Sequence, residues 1–242
     1  MRKLLALVPF VLAAACSAGN AQNSGDHQAG GEQGRRDFTV GAFEKVALEG
    51  SHDVVVTVGG QPSVRAEGDA EAIERLDIRV ENGSLRIGTR PESRSWFGHR
   101  GRVTIYVTAP ALNGASIGGS GDMRIDRVQA QTFAASVAGS GDMEIGALRA
   151  RVASFDIAGS GDIRASGEAE QASLAIAGSG DLALDGLQTR RASISVAGSG
   201  DVAVQASESV EGSLIGSGDV TVRGSARCNL SKSGSGDIHC GG

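Results

Sequence analysis

Seven aspartates in this chain recur in one setting. Gly-Ser-Gly-Asp tetrapeptides carry Asp122, Asp142, Asp162, Asp181, Asp201, Asp219 and Asp237 at successive intervals of 20, 20, 19, 20, 18 and 18 residues. Carboxylates repeated in this way can do one of two kinds of chemistry. They can accept hydrogen bonds from backbone amides at tight turns, with the adjacent serine hydroxyl acting alike. Alternatively, carboxylates stacked about 4.8 Å apart repel by roughly 0.9 kcal/mol in water, a cost that a column of cations would relieve. The turn role is the preferred reading, because amide hydrogen bonds or outward splaying relieve the repulsion without metal. The tetrapeptide also departs from the calcium-binding nonapeptide G-G-x-G-x-D-x-U-x in period and spacing. No metal site is assigned.

Nucleophilic and metal chemistry find little else to work with. The tetrapeptide is not G-x-S-x-G, since Asp stands where the last Gly should be, and no strand-to-helix elbow follows any of its serines. His27, His52, His99 and His239 do not cluster with Cys or carboxylates at ligand spacing. No catalytic residue and no cofactor is assigned. Phe, Trp and Tyr make up 3% of the residues, which disfavours an aromatic-lined cofactor pocket and a base-stacking surface. With 23 basic against 28 acidic residues and no Lys/Arg cluster, nucleic acid is not an expected partner.

The elements that must position the aspartates are strands. After each Asp comes a period-two segment such as Met123-Arg124-Ile125 or Val202-Ala203-Val204. Before each tetrapeptide comes another, with Ala135 and Val137, Phe155 and Ile157, Leu174 and Ile176, or Ile194 and Val196 on its apolar face. A third apolar point lies at Val128, Leu148 and Leu187, leaving polar stretches such as Gln129–Gln131 for the remaining turns. Gly supplies the turn conformations and lets corner pack on corner. The unit is a three-sided coil, and the expected fold is all-β, a right-handed parallel β-helix (solenoid) with about 18–20 residues per coil.

Other parts of the chain read as follows. Arg2 and Lys3 precede an apolar run from Leu4 to Ala15, so residues 1–15 are expected to be a signal peptide. Leu12 to Cys16 resembles a bacterial lipobox, which makes Cys16 the expected lipidation site and places the protein at the outer membrane, facing periplasm or surface. A soluble periplasmic protein is the alternative. Residues 16–37 hold no aliphatic larger than Ala and are expected to be a flexible tether. Residues 38–112 read as an irregular N-terminal β capping region, with one helical candidate from Asp69 to Arg75, and residues 113–242 as the β-helix repeats. Within the capping region, the loop bearing Arg94, Trp96, Phe97 and Arg100 is a candidate interaction loop for an anionic glycan, a lipid head group or a protein, or a cover for the solenoid. Cys228 and Cys240 are a candidate disulfide closing the last coil.

The run Phe43-Glu44-Lys45-Val46, Gly50-Ser51-His52-Asp53-Val54, Asn82-Gly83-Ser84-Leu85 and then the Gly-Ser-Gly-Asp ladder resembles the putative auto-transporter adhesin head GIN domain family, from about Phe38 to the C-terminus. The resemblance implies an exported bacterial protein, often a lipoprotein, with a predominantly β-helical fold, and it carries over no catalytic residues. The expected function is a non-enzymatic envelope lipoprotein with a rigid surface for adhesion to an envelope protein or glycan. The alternatives are a carbohydrate-active β-helix enzyme, for which grouped carboxylates in one groove would argue, and a cation-stabilised scaffold.

Overall fold

The computed structural model describes residues 32–90 and 101–241. The expected signal peptide, Cys16 and the loop residues Arg94, Trp96, Phe97 and Arg100 lie outside the described residues. In chain order the elements are β1 (Gln33–Phe38), β2 (Lys45–Gly50), β3 (Asp53–Val58), β4 (Ser63–Asp69), α1 (Ala70–Glu74), β5 (Leu76–Glu81), β6 (Ser84–Thr89), β7 (Val103–Ala109) and β8 (Gly114–Gly119). Long strands follow: β9 (Met123–Gly139), β10 (Met143–Gly159), β11 (Ile163–Gly178), β12 (Leu182–Gly198) and β13 (Val202–Gly216). The chain closes with β14 (Val220–Arg223), β15 (Arg227–Gly234) and β16 (Ile238–Cys240).

From β8 onward every pairing is parallel and in register coil upon coil, with Gly119, Gly139, Gly159, Gly178, Gly198, Gly216 and Gly234 aligned in one column. The chain is a β-solenoid. Each long strand bends around three sides, because alternation between buried and exposed residues slips at two places per coil. In β9 these are Asp126-Arg127 and Gln131-Thr132. The result is a post-corner wall (Met123–Ile125), a short wall (Val128–Ala130) and a long wall (Phe133–Val137). Of Gln129–Gln131, expected as a turn, Gln129 and Ala130 instead belong to the paired short wall, and only Gln131 stands at a bend. Arg149 aligns with Gln129 and Ala150 with Ala130, so interstrand hydrogen bonding overrides their polarity.

The interior is filled by stacked aliphatics whose volumes compensate between coils. Phe133 aligns with Ala153, and Ala135 with Phe155, so between these two coils each buried ring lies against an alanine. Such complementarity ties stability to nearest-neighbour coil contacts.

The first corner explains its own departures from the repeat. Gly50-Ser51-His52-Asp53 stacks directly on the corner of Gly119 to Asp122, with β2 on β8 and β3 on β9. A Cβ on Gly121 would lie 2.1 Å from the His52 carbonyl oxygen, and every later counterpart meets the preceding corner as closely. Among the described residues no Gly-Ser-Gly-Asp corner stacks on the other side of His52, whose Nε2 lies 3.5 Å from the Thr89 hydroxyl. Burial lowers the His52 pKa, offset in part by Asp53. Beyond this corner the sheets switch to antiparallel pairing, β5 on β6 and β1–β4–β7, closing the N-terminal end with α1 against it. Asp69 caps α1, its Oδ1 accepting from the Ala72 N–H at 2.9 Å.

The tether boundary needs correction. Residues 33–37, expected to be part of the flexible segment, form strand β1 with Phe38, in antiparallel register with β4. Arg35 approaches Glu67 at 3.9 Å, and the Arg36 guanidinium lies 5.0 Å from the Phe38 ring centroid. Hydrogen bonding to a neighbouring edge orders a segment whose composition alone cannot bury a core. The strand ends at Phe38, and Thr39 and Val40 lie beyond it.

Candidate functional site

The corner column is built by the aspartates themselves. Each carboxylate from Asp122 to Asp219 reaches to the next coil rather than closing a local turn: Oδ1 of Asp122 accepts from the Asp142 N–H at 3.0 Å, and the same bond recurs down to Asp219 and Asp237 at 2.8 Å. The aspartate carbonyls complete the ladder, Asp142 accepting from Met123 and Asp162 from Met143. The serines between them are exposed. Among the described residues no group of three or more His, Cys, Asp or Glu is arranged to hold a metal ion. We expect Asp181→Ala to cost about 1–2 kcal/mol by leaving the Asp201 amide without its acceptor, and Asp181→Asn, which keeps an oxygen there, to cost little. Chemical denaturation with and without a chelator checks this. Chelator-sensitive stability lost in both variants would contradict a pure hydrogen-bond role.

A second surface lies on the short wall, where the sequence pattern gave no warning of a site. Its floor is the column Ala130, Ala150, Ala169, Thr189 and Ala206, in register from coil to coil. Because these residues are small and turned inward, the backbone dips there between two columns of long polar side chains. One flank is Gln129, Arg149, Glu168, Gln188 and Gln205; the other includes Arg151, Glu170 and Arg190. Adjoining grooves of about 530 and 510 Å³ share Arg149, Ala150 and Glu170 and run together over this floor, and a third of about 250 Å³ lies on the far side of the Gln129, Arg149 and Glu168 flank. At about 4.8 Å per coil the channel extends over some 20 Å.

Charge in the groove is locally balanced. Arg149 stands 3.9 Å from Glu168, and Arg190 and Arg191 donate to Glu208 at 2.7 and 2.8 Å. The Arg190 hydrogen bond holds the Glu208 carboxyl below its usual range. Two carboxylates, Glu168 and Glu170, face one groove, and guanidinium groups flank them. Aligning the repeats on their aspartates reveals the flank in the sequence as a long polar residue seven positions on, as at Gln129, Arg149 and Gln188.

Cys228 and Cys240 are disulfide-bonded, with Cα atoms 6.4 Å apart, joining β15 to β16 across the last coil. Among the described residues no helix is long and apolar enough to cross a membrane.

A family model described as putative auto-transporter adhesin, head GIN domain, matches residues 42–226. No curated protein matches the chain. Among solved structures, a putative adhesin from Bacteroides fragilis superposes with a TM-score of 0.79 at 24% identity, covering 86% of this chain and 96% of that one. A putative lipid binding protein from Parabacteroides distasonis gives 0.71 at 23% identity, covering 87% and 97%. A putative adhesin from Parabacteroides merdae gives 0.69 at 16% identity, covering 86% and 96%. At these identities the structural likeness establishes the fold.

Proposed function

Given that the chain belongs to the putative auto-transporter adhesin head GIN domain family, we propose that it is an exported, non-enzymatic adhesin-like scaffold, tethered to the cell envelope by a lipid on Cys16, that binds an extended glycan along its short-wall groove. The observation that carries this reading is the channel itself. Amide, guanidinium and carboxylate groups repeat at coil spacing on both sides of a floor of small residues, and such planar groups make paired hydrogen bonds to hydroxyls and carboxylates. A rigid coil stack holds them in place before binding, which lowers the ordering cost. The outer groove is favoured over the interior, as a lipid site would require, because Phe133, Phe155, Leu184 and Leu187 already fill the coils.

Binding of the chain to immobilised polygalacturonate and to a neutral β-glucan, measured by surface plasmon resonance, tests the reading. Arg149→Ala with Arg151→Ala is expected to weaken retention at least about tenfold with unchanged melting. No retention on either polymer, or retention indifferent to both substitutions, would contradict it. Release of reducing ends that Glu168→Gln or Glu170→Gln abolishes would favour the carbohydrate-active enzyme instead. Acylation is checked by palmitate labelling, which Cys16→Ser should eliminate.

A further inference from the structure

The three walls differ sharply in what they present to solvent. The post-corner wall carries charges such as Arg124 and Glu144, paired at 3.3 Å, and the short wall carries the polar flanks of the groove. Outward positions of the long wall from β8 to β13 are Gly, Ala or Ser, as in the column Gly118, Ala138, Ala158, Ala177 and Ala197, with three exceptions. These are Asp156, Glu211 and Ile215. Ile215 is 57% exposed, the most exposed large hydrophobic among the described residues, and it continues the small-residue column at one end of the wall.

We infer that this wall binds a second copy of the chain face to face, with strands parallel and coil order reversed about a two-fold axis lying between β10 and β11. The exceptions on the wall select that arrangement. Reversal about this axis places Ile215 of each copy over Gly118 of the other, where no side chain projects and a Cβ would meet nothing nearer than 3.7 Å. The same operation places Glu211 over Gly114. The Lys45 side chain already leans across Gly114, its Cγ 3.3 Å from where a Cβ would stand. An apolar knob thus meets a hollow and a carboxylate meets an ammonium, each twice. Asp156 falls opposite Ala175.

Area and entropy support the pairing. The six strands β8 to β13 that the axis superposes, at about 4.8 Å, and six residues at about 3.3 Å, give a face of about 29 by 20 Å, or roughly 1,200 Å² buried over both copies, above the roughly 1,000 Å² that a specific interface needs. Gly, Ala and Ser lose little or no side-chain freedom on burial. Flat sheets of small side chains also stack closely and exclude water. The inference is independent of the groove, which opens on a different wall.

Sedimentation velocity on the full chain carrying Cys16→Ser, so that no lipid contributes, tests it. The chain is expected to dimerise at micromolar concentration. Ala177→Arg, at an exposed position with melting as the folding control, should raise the dissociation constant at least about a hundredfold by setting an unpaired charge in the interface. Glu211→Lys should weaken the dimer about tenfold, and adding Lys45→Glu should restore it. A monomer at 100 times that concentration, a dimer indifferent to Ala177→Arg, or failure of the double reversal would overturn the inference. So would a monomer that binds insoluble cellulose in a manner sensitive to Ala177→Arg, which would give the wall to a polymer.

Discussion

Gly198→Ala is expected to prevent folding or to cost more than about 4 kcal/mol, the range reserved for backbone strain and core disruption. Two penalties act together. Gly198 has φ +145°, a region that L side chains rarely adopt, and a Cβ there would stand 1.9 Å from the Gly178 carbonyl oxygen. That oxygen accepts the Ser199 N–H at 2.9 Å, so it cannot retreat without breaking the corner ladder. Gly50→Ala is the informative control. It shares the positive φ, +141°, but a Cβ there meets nothing within 4 Å, so its cost is expected to be about 1–2 kcal/mol. Urea denaturation of the two variants separates the steric part from the conformational part. Equal costs would mean that corner stacking contributes nothing.

Replacing Cys228 and Cys240 by Ser is expected to remove about 3 kcal/mol from the local stability of the last coil, the value for a loop of this length. Among the described residues β15 pairs only with β13 and β16 only with β14, and Leu230, Cys228 and Ile238 are only partly buried. The bond, with a sequence separation of 12, joins the last strands of two walls. Its loss should therefore fray the end without unfolding the middle. Hydrogen exchange of amides in β15 and β16 should accelerate while those in β10 to β12 stay protected. Uniform acceleration throughout would show that the solenoid unfolds as one unit.

Particular residues show how far the sequence was readable. The corner was legible because its two glycines are required once per coil by a close steric contact and its aspartate by an amide hydrogen bond. Asp69 announced α1 for a similar reason, since capping is a local bond. Strand β1 was not legible, because residues 33–38 are ordered by an edge provided by β4, far along the chain. Gln129–Gln131 misled in the opposite direction. Their polarity suggested a turn, whereas the burial of a small residue between two exposed ones makes a groove floor. The reach of Asp122 to the next coil also lay beyond local reading, since it depends on coils stacking in register.

Registered stacking is tested most directly by excising one coil. Gly159 and Gly178 occupy equivalent positions, so deleting residues 160–178 rejoins the chain at the same point of the repeat. The shortened protein is expected to keep its β circular dichroism and to melt cooperatively within about 5 °C of the parent, whereas deleting residues 160–169 should abolish folding. Loss of folding in the first deletion, or its survival in the second, would contradict a solenoid whose coils are held by their neighbours.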